Sequence, residues 1–165
     1  MTFKGDAMRT MRVGLFFLFL AVWVPAQSQD MPANHVTVTV LTTNTADGGR
    51  TQGEWSFSAW VEVGERRFLF DTGWSPDNVL LNAEKLGIDL SVAEDLVLSH
   101  HHQDHTGGLE TLRRELTRRN PSAPSRIHVA PGIFAPRPLA DGSDRNPMVA
   151  LRARIEATGA RFIVH

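Results

Sequence analysis

Between Leu98 and Gly108 the chain runs Leu-Ser-His-His-His-Gln-Asp-His-Thr-Gly-Gly. His100, His101, His102 and His105, four of the seven histidines, therefore fall within six residues around one carboxylate, Asp104. Neutral imidazole and carboxylate are the ligands that zinc takes where no thiolate is available, and the sequence has no cysteine. On an extended or loop backbone, residues two apart project to the same side. His100 and His102 can then grip one ion while His101 faces elsewhere. Asp104 and His105 follow at once and can turn toward a second ion. Two ions about 3.5–4 Å apart can share a hydroxide and polarise a carbonyl or phosphoryl oxygen. Gly107 and Gly108 permit a sharp turn and close backbone packing where the next helix begins. An incidental histidine tract would not sit between an apolar strand and a glycine pair, so metal ligation is the expectation.

The flanking elements must position this loop. Residues 35–41 alternate β-branched and polar side chains, the period of a half-buried strand. Residues 54–63 alternate again, and Gly64-Glu65 turns the chain into a strand over 67–70, which ends in Asp71-Thr72-Gly73. Val79, Leu80, Ala83 and Leu86 then share one helix face, with Gly87 as its stop. Ser91 to Glu94 matches a capping box ahead of a strand over 96–98. Leu109, Leu112 and Leu116 mark a helix that stops by Asn120-Pro121, with Arg113, Arg114, Arg118 and Arg119 as its solvated face. Residues 127–129 form a strand in which His128 is a core or edge histidine. The Pro/Gly-rich segment 131–147 is a long loop with Asp141 and Asp144 in solvent. A helix over 148–157 closed by Gly159, and a strand over 162–164, complete the chain. Strands followed by αβ alternation predict an α/β protein, a mixed sheet with covering helices.

Composition narrows the chemistry. The 165 residues carry 17 Lys+Arg against 18 Asp+Glu, which argues against a basic nucleic-acid binder. The absence of cysteine excludes disulfides, thiolate nucleophiles and Cys-ligated metal. Lys4, Arg9 and Arg12 precede an apolar run over 13–24, and small residues follow at Ala26 and Ser28. That pattern predicts a secretory signal peptide over 1–28 and a periplasmic or secreted product. The run is shorter than the roughly 20 residues that span a bilayer, so no stable membrane insertion is expected after cleavage.

His100-x-His102-x-Asp104-His105, set between an apolar strand and Gly-Gly, resembles the metal signature of the metallo-β-lactamase-fold superfamily. Asp71, in Phe70-Asp71-Thr72-Gly73, matches that superfamily's first motif. Asn82 to Leu90 leading into Leu96-Val97-Leu98-Ser99-His100 is similar to the subgroup named dihydropterin-methyl ribofuranosylaminobenzene phosphate synthases. The resemblance implies an αββα sandwich, of which residues 35–165 supply the N-terminal half, incomplete at the C-terminus. It further implies that His100 and His102 serve a first metal, and Asp104 and His105 a second. Two zinc ions would be held in a complete chain, with manganese or iron as substitutes. Three more ligands are implied downstream, where only His128 and His165 remain among the histidines.

The function so implied is a metallo-hydrolase acting on a small-molecule substrate. A hydroxide held by the metal would attack an ester, amide or phosphoryl centre, with Asp104 as the candidate catalytic carboxylate. A synthase or transferase of the named subgroup, and an inactive metal-binding fragment, stay open as alternatives. Asp71 closes an apolar strand, where an unpaired carboxylate is costly. It is expected beside the histidine loop, supporting a ligand imidazole by hydrogen bonding rather than ligating. An Asx turn at Thr72-Gly73 is the plainer alternative.

Overall fold

A computed structural model describes residues 35–165, and the signal peptide expected at 1–28 lies outside them. Strand β1 (Val36–Thr42) pairs antiparallel with β2 (Ser58–Val63), and β2 with β3 (Arg66–Phe70) across the turn at Gly64, whose φ is 59°. The remaining strands, β4 (Asp95–Leu98), β5 (Arg126–Val129) and β6 (Arg161–Val164), add in parallel, giving one six-stranded sheet in sequence order. Parallel neighbours need a crossover. Helix α1 (Asn78–Lys85) supplies the first, the four-residue α2 (Gln103–Thr106) with α3 (Leu109–Thr117) the second, and α4 (Pro147–Glu156) the third. The expected mixed sheet with covering helices is what forms.

Side-chain alternation decides which face the helices cover. Leu41, Trp60, Leu69, Leu96, Leu98, Ile127 and Val129 share one face. They make a single core with Val79 and Ala83 of α1, Leu109, Leu112 and Leu116 of α3, and Met148 and Ile155 of α4. The opposite face carries Val36, Val38 and Val40, which are 45–57% exposed, and half-buried Val61, Phe68, Phe70, Val97 and Ile163.

Four expectations need correction. The strand expected over 54–63 begins only at Ser58. Phe57 N–H instead donates to the Asp104 carbonyl (3.2 Å) and its carbonyl accepts from Gly73 N–H (3.2 Å), so this backbone serves the site loops. The turn before β4 is a 3₁₀ turn, Leu90–Val92, capped not by Ser91 but by Asp89, which accepts from Ser91 N–H (2.9 Å). The segment 100–105 is not wholly loop: Asp104 and His105 sit in the single turn of α2. Finally, Arg113 is 1% exposed rather than solvated. Its guanidinium donates to the carbonyls of Ala123 (2.7 Å), Pro121 (3.1 Å) and Thr158 (2.8 Å) and to Thr158 Oγ1 (3.0 Å). A charge can be buried when every donor finds an acceptor, and here it ties α3 to the loops before β5 and β6.

Candidate metal centre

The site begins with a strained backbone. Just past β3, Asp71 adopts φ 56°, the one non-glycine residue in the left-handed region among the described residues. Aspartate is among the few side chains that tolerate this. The twist sinks its carboxylate to 0% exposure, where it must be satisfied. Ser99 N–H donates to Oδ1 (2.8 Å), while Ser99 Oγ (2.7 Å) and His105 Nδ1 (2.7 Å) donate to Oδ2. Asp71 N–H in turn donates to the Val97 carbonyl (2.9 Å), and its own carbonyl accepts from Ser58 Oγ (2.8 Å). One residue thereby joins the ends of β3 and β4 to α2.

The next two residues hold the α2 turn. Thr72 donates to the His105 carbonyl from both N–H (2.8 Å) and Oγ1 (3.0 Å), and Gly107 N–H donates to the Gly73 carbonyl (2.9 Å). A Cβ on Gly107 would stand 2.0 Å from the Trp74 carbonyl oxygen, and one on Gly108 2.2 Å from that of Thr72. Both glycines have ordinary helical φ, −63° and −79°. They are there for close backbone approach, as expected, but they do not make the sharp turn that was also expected.

Two supports carried no signal in the sequence. Ser99 is a bridge: with its hydroxyl hydrogen on Asp71, its oxygen accepts from His100 Nδ1–H (2.9 Å). Glu54, which looked like the start of a strand, accepts from Trp74 N–H (2.9 Å), Ser75 N–H (3.0 Å) and Ser56 Oγ (2.8 Å). Partial burial pushes its carboxyl pKa up, but the hydrogen bonds of Ser75, Ser56 and Trp74 outweigh this and hold it below the usual range. A periodicity reading sees neither role, because both are contacts between distant loops.

These bonds settle the imidazole tautomers. His105 spends Nδ1–H on Asp71 and His100 spends Nδ1–H on Ser99, which leaves both Nε2 lone pairs free. A ligand imidazole commonly has its other nitrogen tied in this way. One nitrogen each from His100 and His105 and a carboxylate oxygen of Asp104 come within 4.8 Å of one another, a group that can hold a metal ion. His105 Nε2 lies 3.5 Å from Asp104 Oδ2, and the His100 and His105 ring centroids are 4.2 Å apart. Burial, and then the neighbouring His105 and His102, lower the His100 pKa, which keeps a lone pair available.

His102 falls outside this trio. Its backbone is extended (φ −65°, ψ 149°), its carbonyl accepts from His105 N–H (3.0 Å) and Thr106 N–H (3.1 Å), and its side chain is exposed. Its ring centroid is nevertheless 4.6 Å from that of His100. His101 is half-buried and also outside the trio. It lines a cleft of about 150 Å³ with Ser99, His100, Pro131, Gly132 and Arg137. Burial and then the Arg137 charge lower its pKa.

The other sequence candidates lie elsewhere. Asp144 accepts from Arg137 N–H (3.0 Å) and Asn146 N–H (2.7 Å), and Asp141 from Ser143 N–H (2.9 Å), so both shape the 131–147 loop. His128 is on β5 and pairs with His165.

Comparison with known proteins agrees with this geometry. Residues 56–129 match the family model of the metallo-beta-lactamase superfamily. The chain is 36% identical over 106 residues to the 7,8-dihydropterin-6-methyl-4-(beta-D-ribofuranosyl)-aminobenzene-5'-phosphate synthase of Methanocaldococcus jannaschii, covering 61% of this chain and 33% of that protein. It thus spans about a third of the length of this curated relative. Among solved structures, a Thermotoga maritima protein described as a metallo-beta-lactamase superposes with a TM-score of 0.50 at 18% identity, over 79% of this chain and 59% of that one. That likeness is one of fold alone. A buried aspartate behind a histidine loop, on a mixed sheet with covering helices, accords with the match of residues 56–129 to the metallo-beta-lactamase superfamily.

Proposed function

We propose that His100, Asp104 and His105 hold a divalent metal ion, zinc in the first instance, and that the chain serves metal-dependent hydrolysis of a small-molecule ester, amide or phosphoryl centre. The observation that carries this reading is the convergence of the three side chains within 4.8 Å, with two imidazoles oriented from behind by Asp71 and Ser99. Imidazole with carboxylate suits zinc and also accepts manganese or iron. A bound ion would supply Lewis-acid polarisation of the substrate and an acidified water. The chain's own part is orientation. Asp71 keeps His105 in the tautomer that presents Nε2, Ser99 does the same for His100, and Asp104 brings the negative charge that a cation needs. His102 stands close enough to join through a side-chain rotation. The cleft beside His100 offers room for a substrate group, with Arg137 as its cationic wall.

A second reading, synthesis or group transfer, is favoured by the identity to a synthase. One experiment separates the two. The zinc-loaded protein is incubated with bis(p-nitrophenyl) phosphate and p-nitrophenyl acetate, with Asp104→Ala as control. Hydrolysis that follows zinc and is lost in Asp104→Ala supports the first reading. Zinc binding with no turnover of either probe leaves the transfer reading.

A further inference from the structure

We propose that His128 and His165 form a second metal-binding site, on the sheet face opposite the helices, that takes a tetragonal cation such as copper(II) or nickel(II). The two residues lie far apart in sequence and meet because β5 and β6 run parallel in register, His128 opposite Ile163. They share no residue with the His100–Asp104–His105 trio. His128 Nε2–H donates to Asp95 Oδ1 (2.9 Å). Asp95 is itself gripped at both oxygens by Arg126 (2.6 and 2.8 Å), and Arg126 is backed by Glu94 (2.7 Å). A carboxylate behind an imidazole is the arrangement that fixes tautomer and ring angle in metal sites. It leaves His128 Nδ1 with a free lone pair.

That lone pair faces His165 Nε2 at 2.8 Å. The ring planes differ by 16° and their centroids are 5.1 Å apart. This separation is about the nitrogen–nitrogen distance plus the two ring radii. The nitrogens therefore face each other along the line of centres, in nearly coplanar rings, with one hydrogen between them. A cation that replaces this hydrogen meets two nitrogens from opposite sides, in the trans positions of a tetragonal ion rather than at a tetrahedral angle. Metal–imidazole bonds of about 2.0 Å place such nitrogens about 4 Å apart, so His165 must retreat by about 1 Å. Its backbone N–H donates to the Val129 carbonyl (3.2 Å), so the shift falls to its exposed side chain, by rotation about the side-chain bonds. The hydrogen on His165 Nε2 moves to Nδ1 through solvent, so both rings stay neutral and water completes the coordination.

The test is copper(II) titration of the full chain carrying His100→Ala and His105→Ala, followed by electron paramagnetic resonance. One equivalent with coupling to two imidazole nitrogens is expected. Adding His165→Gln or His128→Gln should weaken binding at least tenfold and remove one nitrogen coupling. Adding Asp95→Asn should weaken it about tenfold, the low end of the effect of removing a supporting carboxylate. His165→Gln changes an exposed side chain at a strand end, so the fold is not at stake. Copper affinity unchanged by His165→Gln and His128→Gln, or no copper bound in the double-variant background, overturns the proposal.

Discussion

Two histidine clusters stand on this sheet, and they are built in opposite ways. At the end of β4, His100 and His105 are oriented by Ser99 and by Asp71, a carboxylate with 0% exposure that takes all its hydrogen bonds from the site itself. On the sheet face opposite the helices, His128 is oriented by Asp95, a carboxylate one-third exposed and already neutralised by Arg126. The first carboxylate has no cation among its hydrogen-bond partners, so its interaction with the ligand side is undiluted. The second divides its charge between a guanidinium and an imidazole. The difference teaches that a supporting carboxylate has leverage over a metal site in proportion to its burial and to its lack of other partners.

The comparison breaks most sharply at Gly107. Gly107→Ala puts a methyl 2.0 Å from the Trp74 carbonyl oxygen, so α2 must move off the Asp71–Thr72–Gly73 loop. Overpacking of this kind costs about 1–3 kcal/mol, sometimes more. Chemical denaturation should show that loss, with zinc affinity of the histidine loop collapsing while the His128–His165 hydrogen bond, read by imidazole nitrogen NMR, is unchanged. Asp71→Ala comes next. It frees His105 and Ser99 from their shared acceptor and should lower zinc affinity roughly 10–100-fold by equilibrium titration. Asp71→Asn, which tolerates the same backbone and still accepts from Ser99 N–H, should lose less. If Asp71→Ala leaves zinc affinity untouched, only the turn role of Asp71 survives.

The smallest effect is on pH dependence. Arg126 first, against a smaller opposing burial effect and with help from His128, lowers the Asp95 pKa from 3.8 to about 2. A depressed folded-state pKa contributes stability that is present above the unfolded value and lost as pH falls through the folded one. The stability difference between wild type and Asp95→Asn should therefore be full above about pH 4 and fade toward pH 2. Partial exposure keeps it small. A difference that is flat across that window would show that Asp95 does not hold its charge through Arg126.

These two clusters also mark what could be read from residues alone. The histidine loop is local: six consecutive residues name their own chemistry, and Asp71 stands out because it is a carboxylate ending an apolar strand. The strands and the apolar stripes of the helices follow from periodicity in the same way. The Asp95–His128–His165 chain depends on the register of three parallel strands, which no single segment encodes, so His128 looked like an ordinary edge histidine. Arg113 was misjudged for a related reason. Its position near three arginines suggested a solvated face, but its acceptors come from the loops around Ala123 and Thr158. Glu54 and Ser99 likewise act through contacts between loops. The grouping of His100 with Asp104 and His105, rather than with His102, came from the one turn of α2, too short to leave a periodic trace.

The central claim is that His100, Asp104 and His105 form the metal centre on the support of Asp71. Zinc titration of the full chain, comparing His105→Ala with His101→Ala, tests it most directly. The two substitutions remove the same side chain within one histidine run, but only His105 belongs to the trio. Zinc affinity should fall by at least tenfold in His105→Ala and stay near wild type in His101→Ala. Equal losses in the two variants would show an unstructured histidine tract and contradict the account.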